Sequence, residues 1–120
     1  MPTRKATAPT TAPAAADAPD ALAQDFLTFL EVERRCSLRT LENYAHALRA
    51  FAAWRSAAAG CCAWEELTAD DFRRYLFELM KQEKGRATIR LHFAALRSFF
   101  KWLTQRRGLK HNPLLEVQLP

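Results

Sequence analysis

Between Ile89 and Leu103 the large apolar side chains return every three or four residues, at Ile89, Phe93, Leu96, Phe99, Phe100 and Leu103. That period belongs to one face of an α-helix, since a strand would alternate every second residue. The positions between are as constrained as the stripe itself. From Lys84 to Lys110 the chain carries eight Lys and Arg residues and not one Asp or Glu. Such a helix must lay one face against other elements and present an unopposed positive field on the rest.

The same period recurs upstream and supplies the partners. Asp20 can cap a first helix with Leu22, Phe26, Phe29 and Leu30 on one side, ending near Arg34 and Arg35. Ser37 is the next expected N-cap, and Leu41, Tyr44, Ala45, Leu48, Phe51 and Ala52 form the stripe of a second helix running to about Ser56. Trp64 is expected to plug the core beside the connection that follows. Thr68 and Asp71 have capping-box spacing and open a third helix with Phe72, Tyr75, Leu76 and Leu79 inward, closed by Gly85. The basic fourth helix ends at Gly108. Asn112 and Pro113 then start a short turn holding Leu114, Leu115 and Val117. No segment alternates like a strand, so the expected fold is all-α: a compact bundle of four main helices plus a short C-terminal turn. Residues 1–19, rich in Ala, Pro and Thr, read as a disordered tail. Residues 20–110 are the folded domain, and 111–120 begin a linker.

Composition narrows the function classes. No apolar run approaches the roughly 20 residues of a membrane span. The net charge of +5 is moderate, but its placement is not even. Upstream of Lys84 acidic residues slightly outnumber basic ones, whereas from Lys84 onward the single acid is Glu116. Cys36, Cys61 and Cys62 lack zinc spacing and read as reduced thiols of a cytoplasmic protein. His46, His92 and His111 are scattered, and three glycines make no phosphate-binding loop. No catalytic constellation, metal site or cofactor is expected.

Nucleic-acid binding survives these exclusions. Ser37, Arg39 and Thr40 open the second helix, and Gly85, Arg86 and Thr88 open the fourth. Each start combines a small or hydroxyl residue with an arginine, where free helix amides attract phosphate. Arg39, Asn43 and His46 point away from the second helix's apolar stripe, as Arg86, Arg90, Arg97 and Lys101 do on the fourth. Arg and Asn can read base edges in a major groove, while Thr and Lys mostly touch phosphate. Two readings stay open for Ser37 and Thr40 (helix start or phosphate contact) and for Arg97 and Lys101 (solvated surface or DNA contact). Arg106 and Arg107 are expected to complement the helix C-terminus, and Tyr44 and Tyr75 sit at apolar positions.

These pieces together resemble the N-terminal core-binding, SAM-like domain of tyrosine recombinases of the XerC type, over about Leu22 to Pro120. Ser37, Thr40 and Tyr44 are similar to the family's S-x-x-T-x-x-x-Y second-helix start. Leu67, Thr68 and Asp70 resemble its L-T-x-x-D entry to the third helix. The run from Arg90 through Leu96, Arg97, Phe99, Phe100, Trp102 and Leu103 is close to R-L-S-A-L-R-S-F-F-x-W-L, the most specific piece. Asn112-Pro113 matches the N-P before the interdomain linker. The chain departs from the family at Leu38, where relatives often have Pro, and at Gly85, where they often have a Ser-like cap; Gly85 then reads as a hinge.

The resemblance implies a bundle clamping one face of a double-stranded recombination half-site, with the second and fourth helices near the major groove. Arg39, Thr40, Asn43, Arg86, Thr88, Arg90 and Arg97 are the expected DNA-binding residues. It also implies a second recombinase protomer as partner in the full-length protein, and for Phe26 or Phe29 an interface alternative to core burial. The family's catalytic residues lie in a second domain past the linker, so residues 1–120 are expected to bind without catalysing. The parent enzyme would cut and rejoin DNA through a phosphotyrosyl link, resolving chromosome dimers at cell division. Two alternatives are a phage integrase or transposon recombinase with the same domain, and a helical module that docks an acidic protein.

Overall fold

The computed structural model describes residues 21–60 and 63–120. The expected tail over residues 1–19, the Asp20 cap and the Cys61-Cys62 pair lie outside the described residues. Four α-helices follow one another: α1 (Ala21–Val32), α2 (Leu38–Ala59), α3 (Ala69–Lys81) and α4 (Arg86–Arg106). Single 3-10 turns occupy Trp64–Glu66 and Pro113–Glu116. Among the described residues there is no strand, and the all-α expectation holds.

Local chemistry sets the helix starts. The Ser37 hydroxyl accepts from the Thr40 amide at 3.1 Å, satisfying one of the free amides of the first turn of α2. At α3 the box closes both ways: the Asp71 amide donates to Thr68 Oγ1 at 3.4 Å, and the Thr68 amide donates to Asp71 Oδ2 at 2.9 Å. Asn112 accepts from the Leu114 amide at 3.0 Å and so starts the last turn.

Helix ends differ from expectation in one instructive place. Gly85 does not close α3; it is the extended N-cap of α4, with φ −67° and ψ 160°. The left-handed residue after α3 is Glu83, at φ 60°. Around it the Lys84 amide donates to the Leu79 carbonyl at 3.1 Å and the Glu83 amide to Met80 at 2.9 Å, the paired bonds of a Schellman ending. Helix α2 also runs one turn past Ser56, and Leu115, expected in the core, is 82% exposed.

The core is built around α4. Its Phe93, Leu96, Phe99 and Phe100 are completely buried together with Phe72, and Phe26 and Phe51 are nearly so. Phe51 of α2 stacks on Phe72 of α3 at 4.8 Å between ring centroids, and Trp64 stands edge-on to Phe99 at 4.7 Å. Phe26 of α1 meets Phe99 at 5.3 Å and Phe72 of α3 meets Phe100 at 5.4 Å, so rings from α1, α3 and the Trp64 turn converge on one stripe of α4, with Phe51 of α2 behind Phe72. Phe29 and Leu76 are only half-buried at its margin. The largest helix pairing is α2 with α4.

Arg106 and Arg107 do more than complement a helix end. They reach back to α1, pairing with Glu33 at 3.1 Å and Asp25 at 2.8 Å. The same guanidinium groups lie over the Phe29 and Trp102 rings at 4.9 and 5.0 Å. Since Glu83 holds a conformation that costs a side-chain-bearing residue free energy, Glu83→Gly is expected to stabilise the fold by about 0.5–1 kcal/mol. Thermal unfolding followed by circular dichroism should show Tm rising by about 3–6 °C; an unchanged or lower Tm would refute the strain.

Candidate nucleic-acid interface

The sequence-selected residues come from α2 and α4, and the contact between these helices decides whether they share a surface. His46 of α2 and His92 of α4 meet edge to face, with ring centroids 5.7 Å apart. Asn43 lies three residues before His46, about 4.5 Å along the axis, and Arg90 two residues before His92, about 3 Å along. The two residues singled out as base readers therefore lie within one turn of the same helix contact along the axes, with Arg90, two residues from His92, on a different side of α4 from the ring that meets α2. Arg90 is exposed and Asn43 half-buried, so neither is lost to the core.

Within α4, Arg86, Arg90 and Arg97 sit at i, i+4 and i+11, on one face, and all are exposed. Thr88 is exposed in the same first turn but points to another side of the helix, as i+2 spacing requires. On α2, Arg39 is exposed and Thr40 half-buried. The Thr40 hydroxyl oxygen accepts from Ser37 Oγ at 3.0 Å, which leaves its own proton to donate outward. The first turn of α4 has no side-chain cap, so its amides face solvent beside Arg86.

Some of the described cations are engaged by carboxylates and others are not. Arg55, Arg73, Arg106 and Arg107 pair with Asp71, Asp70, Glu33 and Asp25. Among the described residues, Arg39, Arg86, Arg90, Arg97 and Lys101 have no carboxylate partner. Arg97 is the one already engaged with backbone, donating to the Val117 carbonyl at 3.1 Å. Unpaired cations also occur elsewhere among the described residues, at Arg34, Arg35, Arg49, Arg74 and Lys81; what distinguishes α4 is that its unpaired cations share one face in a stretch without Asp or Glu.

One feature escaped the sequence reading. His92 is buried, and its Nδ1 lies 3.1 Å from the Tyr75 hydroxyl. Burial lowers the His92 pKa, with smaller contributions from the charges of His46 and Lys84. Burial also raises that of Tyr75, so the phenol keeps its proton and the two neutral groups share one hydrogen bond. A hydroxyl from α3 thus fixes the ring that α2 touches. Among the described residues no His, Cys, Asp and Glu group could hold a metal, and no helix is long and apolar enough to cross a membrane.

Comparisons with known proteins place the fold in a family. The model of the phage integrase N-terminal SAM-like domain matches residues 23–107, from the first turn of α1 to the end of α4. The chain belongs to that family. It is similar to tyrosine recombinase XerC of Bacillus pumilus, 35% identical over 79% of this chain and 31% of the relative. XerC of Salmonella typhi is 37% identical over the same shares, and tyrosine recombinase XerD of Listeria monocytogenes 30% identical over 82% of this chain and 33% of its own. The chain thus spans about a third of the length of the curated relatives it matches. No solved structure matches it.

Because His92 holds its proton less readily folded than unfolded, where about 6.5 is ordinary, the unfolded chain takes up more protons below that value. Stability should be highest above pH 6.5 and fall as the pH drops through the folded value of His92. Urea midpoints at pH 7.5 and 5.5 should therefore differ, and His92→Phe should narrow the difference. An equal pH difference in the variant would assign it elsewhere.

Proposed function

We propose that this chain is the DNA-binding domain of a site-specific tyrosine recombinase, seating α2 and α4 against the major groove of a recombination half-site. The observation that carries the reading is a row of guanidinium groups on one face of α4, at Arg86, Arg90 and Arg97, exposed and unmatched by carboxylates among the described residues, within a stretch from Lys84 to Lys110 that holds no Asp or Glu. In this reading Arg90 and Asn43 meet base edges, where a bidentate guanidinium or an amide discriminates between bases. Arg39, Thr40, Arg86 and Thr88 meet phosphates, helped by the open amides of α4.

Arg97 has a mixed role here. Its grip on the Val117 carbonyl leaves the rest of its guanidinium for phosphate. No residue of this chain is assigned to catalysis: the buried Tyr75 hydroxyl is committed to His92, and Tyr44 stacks on Phe26 at 6.4 Å. Cleavage and rejoining through a phosphotyrosyl link, pairing with a second recombinase protomer, and resolution of chromosome dimers at division would belong to the whole recombinase. The XerC and XerD names of the relatives support that choice over a phage-type target.

Two measurements test the reading. With about five phosphates neutralised, log affinity for a half-site duplex should fall against log salt with a slope near −4 to −5. A slope near zero would refute the phosphate contacts. Arg90→Ala should weaken half-site binding by about 1–3 kcal/mol and relax preference at one base position; unchanged affinity would return Arg90 to the solvated surface.

A further inference from the structure

The cationic strip of α4 does not stop at Arg97. One turn on, it forms one wall of a groove of about 490 Å³ lined by Arg97, Lys101, Thr104, Lys110, Asn112, Leu114 and Leu115. The opposite wall is the segment that follows α4. Three cations line this groove and no carboxylate does. Lys101 and Lys110 are both exposed and neither has a carboxylate partner among the described residues.

The groove is held open by backbone bonds rather than by its lysines. Arg97 donates to the Val117 carbonyl at 3.1 Å and Arg73, from α3, to the Glu116 carbonyl at 3.2 Å. Pro113 and Leu114 are buried beneath. The Asn112 carbonyl oxygen caps the Leu114 amide at 3.0 Å, which leaves its NH₂ group free to donate. An anion entering would find two ammonium groups and an amide on walls whose positions are already fixed, so little ordering is lost on binding.

The geometry points to this groove as a second phosphate seat, taking the sugar–phosphate backbone of the same duplex beyond the stretch contacted near Arg90. The inference rests on the DNA-binding reading and extends it to residues that reading leaves out. Arg90 and Lys101 are eleven residues apart on one helix, about 16 Å, which matches about five base-pair steps at 3.4 Å per charge on a strand. Phosphate is the fitting occupant because the groove offers donors and positive charge without an acceptor carboxylate.

The test uses the chain of residues 1–120, the Lys101→Gln/Lys110→Gln double variant, and two half-site duplexes, one shortened by five base pairs on the side α4 points toward. Gln keeps side-chain length at exposed positions, and circular dichroism checks the fold. On the long duplex the variant should bind roughly 5- to 30-fold more weakly at 0.15 M salt, with the salt slope shallower by about 1 to 2. On the short duplex it should match the wild type. Equal loss on both duplexes, or no loss on either while Arg90→Ala still weakens binding, would overturn the groove and leave the DNA-binding reading standing. Failure of the wild type to bind either duplex would overturn both.

Discussion

The burial of one aromatic face of α4 against the other three helices is the constraint on which the rest of the structure depends. Phe93, Leu96, Phe99 and Phe100 are sealed from solvent; rings from α1, α3 and the Trp64 turn close on them, and Phe51 of α2 stacks behind Phe72. A helix has only one rotation about its axis that buries such a stripe, so fixing these side chains also fixes where Arg86, Arg90, Arg97 and Lys101 point. Apolar packing supplies the free energy, and the charged surface takes its orientation from it.

That orientation would mean little if α2 were free to slide. The Tyr75–His92–His46 relay joins α3, α4 and α2 at one level, through a 3.1 Å hydrogen bond and a 5.7 Å ring contact. A buried imidazole hydrogen-bonded to a buried phenol tolerates few other arrangements, because leaving either group unpaired in the interior is costly. Polar specificity thus sits at the α2–α4 contact, beside the close-packed aromatic cluster.

Much of this was legible in the sequence, and what was not has a common physical cause. The Ser37 and Thr68–Asp71 caps were readable because capping is a bond between residues three apart. The stripe of α4 was readable because its period is set by the helix alone. Arg106 and Arg107 were assigned only to their own helix end, since their carboxylate partners lie 73 and 82 residues away. The His46–His92 contact was missed for the same reason. Gly85 was given the ending of α3 on propensity, but the chain places its left-handed residue at Glu83, where the two backbone bonds outweigh the side-chain penalty. Leu115 was placed inside by hydropathy; a four-residue 3-10 turn cannot turn every apolar side chain inward.

The two guanidinium grips on the final turn carry a mechanical consequence. Arg73 and Arg97 hold the adjacent carbonyls of Glu116 and Val117 from two different helices. Tension applied at Pro120 is therefore shared between parallel attachments and delivered into the bodies of α3 and α4, instead of peeling the tail away one residue at a time. A load arriving from that end would be felt as torque on the cationic helix itself.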